Sequence, residues 1–186
     1  MEKKKLIVGA FLSFILITSV LGFVLTFNDN ATEPIINNDF IEVNNVKIEK
    51  AQQQGLWVVN NNGIQISFNN LPENLNNIKI PEFSFQTDKV YIIFEPDQFD
   101  NNLNYLLIKA TQGLNSANYK TVFACTKEEN CNLDVPVKDC NSYALYINRK
   151  NDSKIYIKDN CLILEGQDSD LDRYVDKINY KLIGVE

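Results

Sequence analysis

Histidine is absent from this chain of 186 residues, which removes every scheme that needs an imidazole base or metal ligand. The four cysteines contain no C-x-x-C pair, so a zinc knuckle or a thioredoxin-like centre has no framework here. No G-x-G-x-x-G, P-loop or G-x-S-x-G stretch occurs, and no cofactor is implied. Positive charge is in deficit: 18 basic residues face 24 acidic ones, for a formal charge of −6. That balance argues against nucleic acid as a partner. What the chain has in excess is asparagine, 26 residues, all beyond position 27.

Charge is also missing from Leu6 to Phe27, behind Lys3, Lys4 and Lys5. Such a run makes about 33 Å of helix, enough for a bilayer core of roughly 30 Å. The expected organisation is a lysine-rich cytoplasmic tail over 1–5, a transmembrane helix over 6–27, a juxtamembrane spacer over 28–39 and an extracytoplasmic domain over 40–186. The lipid bilayer is then a partner through residues 6–27, with the N-terminus cytoplasmic and the C-terminal domain outside the cell membrane. The rival reading is a signal peptide cleaved after Gly22.

Beyond the run, Phe40–Val43 and Val46–Ile48 are short extended candidates. Leu56–Val59 and Ile64–Phe68 flank Asn62-Gly63, the signature of a tight hairpin. Ile78-Lys79-Ile80, closed by Pro81, reads as an edge strand. Val90–Phe94 lacks polar alternation and reads as a central strand covered on both faces. Leu103, Leu106, Leu107, Ala110 and Leu114 recur at helical spacing over 100–114, with Lys109 on the opposite side. Strands are predicted at 119–124, 143–147, 154–158 and 161–166. Ser169-Asp170-Leu171-Asp172 predicts a capped helix with an apolar stripe of Leu171, Val175, Ile178 and Leu182, ending at Gly184. The fold class is α+β: one mixed sheet of five to seven strands, two main helices and disulfides, behind the membrane helix.

An even cysteine count in an oxidising compartment reads as two disulfides among Cys125, Cys131, Cys140 and Cys161. Three pairings exist. The spacing favours Cys125–Cys131, stapling a small excursion, with Cys140–Cys161 closing a longer loop.

Glu95, Asp97 and Asp100 follow the central strand at its carboxyl end, where α/β sheets hold ligands; they are the only catalytic candidates. Asp168-x-Asp170-x-Asp172 opens like a calcium loop, but Arg173 takes the glycine position and Asn179 the terminal glutamate position, so no metal site is assigned. Arg173 is placed to pair with Asp170 or Asp176. Asn30-Ala31-Thr32 and Asn151-Asp152-Ser153 are glycosylation sequons, with Asn30 and Asn151 as acceptors. Tyr105, Tyr143, Tyr146, Tyr156 and Tyr180 are read as sheet packing or a recognition patch.

Gly55-Leu56-Trp57, Leu71–Leu75, Val90–Pro96, Ala124-Cys125, Asp139-Cys140, Asn160-Cys161-Leu162, Asp172-Arg173-Tyr174 and Tyr180–Gly184 together resemble an uncharacterised family of small membrane-anchored exported proteins from reduced-genome archaea. The resemblance implies an outward-facing, cysteine-linked domain and carries no activity. The leading expectation is a single-pass membrane protein whose outer domain is a non-catalytic binding or structural module for an extracytoplasmic protein or glycan. The alternatives are a membrane-anchored cell-envelope hydrolase using the three carboxylates, and a metal or redox module built on the cysteines.

Overall fold

Asparagine turns organise the first part of the domain. A computed structural model describes residues 40–51, 55–131 and 133–185. Strands β1 (Phe40–Val43), β2 (Val46–Lys50), β3 (Trp57–Asn61) and β4 (Ile64–Phe68) form an antiparallel meander in sequence order. Asn44 and Asn45 join β1 to β2, and Asn62 and Gly63 join β3 to β4, all at positive φ. Both pairs make the two-residue turn whose twist matches that of the flanking strands. Five of the six described non-glycine residues at positive φ are asparagines, the structural use of an asparagine-rich chain.

The second sheet holds β5 (Lys89–Phe94), β6 (Lys120–Cys125), β7 (Ala144–Arg149), β8 (Lys154–Lys158) and β9 (Cys161–Gly166) in the order β6-β5-β7-β9-β8. Only the edge strand β8 is antiparallel to its neighbour. Helix α1 (Asn101–Ser116) crosses from β5 to β6, and α2 (Asp168–Leu182) follows β9. Leu103, Leu107 and Leu114 of α1, with Leu171, Val175 and Ile178 of α2, pack on Val90, Ile92 and Phe94 of the central strand. The meander closes on the helices from the other side, where Phe68 stacks on Tyr180 with ring centroids 4.0 Å apart. The helices therefore lie between two sheets.

Several expectations need correction. Two sheets of four and five strands replace one mixed sheet. Residues 78–80 are extended but join no sheet. Helix α2 starts one residue before Ser169, with Gln167 at the N-cap and no side-chain cap bond. The span predicted over 6–27, with its flanks 1–5 and 28–39, lies outside the described residues. Among those residues no helix is long and apolar enough to cross a membrane. The longer helix has 16 residues, about 24 Å, and carries a buried lysine. The single-pass topology, the bilayer partner and the cell-membrane location have no helix among the described residues to rest on. They give way to a mixed α+β domain with two disulfides.

Those disulfides are Cys125–Cys131 and Cys140–Cys161. They pin the connection from β6 to β7. A parallel connection is right-handed, so with α1 on one face the return from β6 past β5 to β7 belongs on the other. Residues 126–143 make that return without a helix, as a strap. Val137 bridges Cys125 at the edge of β6, and Cys140 packs among Ile93, Ala144 and Ile163 on the helix-free face.

Candidate functional site

The strand register sorts the helix-free face into rows. Val122, Tyr91, Ala144, Cys161 and Lys158 stand side by side near the amino ends of the parallel strands. Ala124, Ile93, Tyr146, Ile163 and Tyr156 form the next row. Asn148, Glu165 and Lys154 continue a third, polar row at the carboxyl ends. Glu95 and Thr126, the residues directly after β5 and β6, lie at the same level and are hydrogen-bonded to each other. Small residues in the first two rows leave the phenol rings room to lie over the sheet.

Glu95 is held from two sides. The Tyr146 hydroxyl donates to one carboxylate oxygen, and the Thr126 hydroxyl donates to the other at 2.7 Å. Burial, with Glu95 and Glu165 nearby, pushes the Tyr146 phenol well above its usual range, so it remains a donor. Each hydroxyl gives its proton to Glu95 and keeps its oxygen lone pairs for other partners. Glu165 accepts from Lys154 at 2.8 Å and from Asn148 at 3.4 Å.

Between this face and the strap lies a concavity of about 270 Å³. Ile93 and Tyr146 form its floor, and Thr126 stands at one end. The strap supplies Lys138, Asp139, Cys140 and Asn141, and the β8–β9 turn supplies Lys158 and Asp159. Asp139 is satisfied by the backbone and side-chain amides of Asn141 at 3.0 and 2.8 Å. Lys138 lies over the Tyr91 ring, 5.1 Å from its centroid. Among the described residues, neither Lys138 nor Lys158 has a carboxylate within ion-pair distance.

The other sequence candidates are dispersed. Asp97 pairs with Lys127 and accepts from Asn130, and these bonds lower its pKa. Asp100 caps α1 through the Leu103 amide and accepts two bonds from Arg149, at 2.8 Å each; Arg149 holds its carboxyl down at about 2. Neither has the raised pKa that a general acid needs. Glu95 alone faces the strap. The aspartates of the calcium-like stretch diverge: Asp168 meets Arg149, Asp170 accepts from Ser153, and Asp172 meets Lys109. No three acidic or cysteine side chains gather as a metal site among the described residues. Arg173 does not pair with Asp170 or Asp176; it donates to the Asn74 carbonyl and the Asn77 side chain. Asn151 is exposed in the turn after β7, and Asn30 lies outside the described residues.

The structure also builds a buried polar cluster around Lys109, which the sequence only sets opposite the apolar stripe of its helix. Lys109, 1% exposed, meets Asp176 at 2.5 Å and Asp172 at 2.6 Å. Asp176 also accepts from the backbone amides of Asn69 and Asn70 just after β4. Burial raises Asp176 from 3.8 to about 6 against the pull of Lys109. The cluster ties both helices to the meander, with Lys109 buried inside it and only Asp172 reaching a surface concavity beside Tyr105, so it serves as a structural pin.

No family model, curated protein or solved structure matches this chain. The resemblance to a family of exported archaeal proteins therefore has nothing behind it beyond scattered short matches. The membrane-anchored outer module has no membrane-crossing helix among the described residues to support it, and the strap-covered face is what the described domain offers.

Proposed function

We propose that this domain binds a small zwitterion of amino-acid size in the concavity between strap and sheet. The observation that carries this reading is the pair of lysines, Lys138 and Lys158, which line a concavity open to solvent and have no carboxylate partner among the described residues. An incoming carboxylate supplies the missing counter-charge. A ligand ammonium finds Asp159 and the lone pairs of the Tyr146 and Thr126 hydroxyls, which Glu95 orients. Ile93 and the Cys140 disulfide leave an apolar patch for a short side chain. The volume is below the roughly 300–1,000 Å³ of drug-sized sites, which suits a compact ligand. Glu95 acts here as a positioning group. Both of its oxygens are already engaged by the Tyr146 and Thr126 hydroxyls, which favours capture over hydrolysis.

Calorimetric titration with the free amino acids, and with their uncharged N-acetyl amides, tests the reading. The expected result is saturable binding of at least one free amino acid and none of its blocked form. Lys158→Ala and Tyr146→Phe should each weaken that binding by about tenfold or more, the loss of one charge-assisted or one ordinary hydrogen bond. Absence of binding by every free amino acid, or equal affinity in both variants, overturns it.

A further inference from the structure

A second concavity borders the amino end of the same sheet on its helix side, and shares Asp159 with the first. It measures about 340 Å³. One wall is the extended stretch Glu82–Gln86, and the floor comes from Tyr143, Ile157 and Leu162.

The stretch alternates between exposed and buried side chains as a strand does, but it pairs with none. Phe83 and Phe85 turn inward, where Phe85 meets the edge of Tyr119 at 5.6 Å and Phe83 at 5.5 Å. Glu82, Ser84 and Gln86 turn outward and are exposed. Two aromatic anchors fix the segment through its side chains alone. Among the described residues, no backbone amide or carbonyl from Lys79 to Gln86 makes a hydrogen bond. An extended backbone with no ladder is a template for another strand. Opposite it, Ile157 on the edge strand β8 is 45% exposed and lines the concavity with its apolar side chain.

We propose that this groove receives an extended basic peptide, which pairs its backbone with Glu82–Gln86. Strand addition supplies the missing hydrogen bonds, and alternate side chains supply selectivity. One face of the peptide meets Ile157 and Leu162, so it carries apolar residues at every second position. The rim carries Glu82, whose side chain is almost fully exposed, and Asp159, so the intervening residues are lysine or arginine. Lys181 reaches Glu82 at 3.5 Å from the α2 end and sets the limit of the acidic rim.

Hydrogen exchange on the intact protein tests the proposal. The probe is a set of hexapeptides alternating Val, Ile or Phe with Lys or Arg, at about 1 mM, the weak end of specific binding. The amides of Phe83–Gln86 should exchange quickly in the free protein. At least one peptide should slow them by about tenfold or more. The same peptide should give no protection in Ile157→Asp, whose melting temperature should match that of the parent because the site is exposed. Counterparts with Glu in place of Lys should give no protection. No slowing by any basic peptide, equal slowing in Ile157→Asp, or equal slowing by the acidic peptides overturns the proposal. None of these outcomes depends on whether the strap concavity binds an amino acid.

Discussion

Gly113 of α1 lies directly against Asn179 of α2, and Gly113→Ala tests the packing directly. In an isolated helix the change stabilises by about 1 kcal/mol, because alanine loses less backbone freedom. Here a Cβ on residue 113 would stand 1.8 Å from Asn179 Oδ1, 2.3 Å from its Cγ and 2.9 Å from its Nδ2. Asn179 is buried, and its Nδ2 donates to the Lys109 carbonyl at 3.0 Å. Its Oδ1 has no hydrogen-bond partner and rests against the glycine. The amide has to move, and it has no solvent to move into. Overpacking costs about 1–3 kcal/mol. Losing the buried Nδ2 bond costs about 1–3 kcal/mol more. Set against the propensity gain, Gly113→Ala should destabilise by about 3 kcal/mol, which lowers the urea midpoint by roughly 1–2 M. Asn179→Ala removes the obstacle, so the double variant should be more stable than the sum of the single effects by about 1 kcal/mol or more. A Gly113→Ala protein as stable as the parent, or more so, would show that the helices are not locked at this contact.

The remaining expectations concern charge and covalent links. Asp176 binds its proton more tightly folded, at about 6, than the ordinary 3.8, so stability falls as pH rises through that window; urea midpoints at the two ends should differ, and Asp176→Asn should remove this slope. Asp100 has the opposite sign: it stabilises above 3.8 and that contribution is lost as pH falls through about 2, so Arg149→Met should move its carboxyl titration upward in a carbon NMR experiment. Replacing Cys140 and Cys161 by serine should cost about 3 kcal/mol on the chain-entropy account. In that variant the amides of the strap, residues 137–141, should exchange faster while those of β5 remain protected, as mass-resolved hydrogen exchange would show.

Legibility from sequence followed the reach of each signal. Asn62-Gly63 announces its hairpin because the turn is decided by two residues alone. The leucine spacing of α1 and the unbroken apolar run of β5 are equally local, and both elements form where the pattern places them. Lys109 shows the limit. A lysine opposite an apolar stripe normally faces water, and only the meander, folded from residues far away in sequence, buries it. The stretch at 78–80 has strand composition, yet pairing needs a neighbour, and none lies beside it. At the strap, Glu95 was visible as a carboxylate after the central strand. Tyr146 was visible only as one of five tyrosines read as sheet packing or a recognition patch, and Lys158 not at all, because the register alone brings their strands alongside. The alternation of Lys154, Tyr156 and Lys158 in β8 was the available signal: on an edge strand, residues two apart share one face.

The disulfides explain why that face has any character at all. A parallel sheet is ordinarily covered by helices on both sides. A crossover helix laid over Ile93 and Tyr146 would bury the phenol and strand Glu95 in an apolar layer, at a cost of several kcal/mol for an ion without full compensation. A loose loop would leave the tyrosines to water but would cost about 1–2 kcal/mol of backbone entropy for each residue it ordered. The strap takes a third course. Cys125–Cys131 fixes its departure from β6, and Cys140–Cys161 fixes its arrival beside β9. Both restrict the unfolded chain, so less ordering remains to be offset by contacts. The covering layer can then be thin and polar, and the space beneath it persists. Two lysines with no counter-ion among the described residues are tolerated in that space because the strap leaves it open to solvent or to a ligand. Covalent pinning and unpaired charge are thus parts of one arrangement, and the zwitterion reading stands on their coincidence at a single place in the fold.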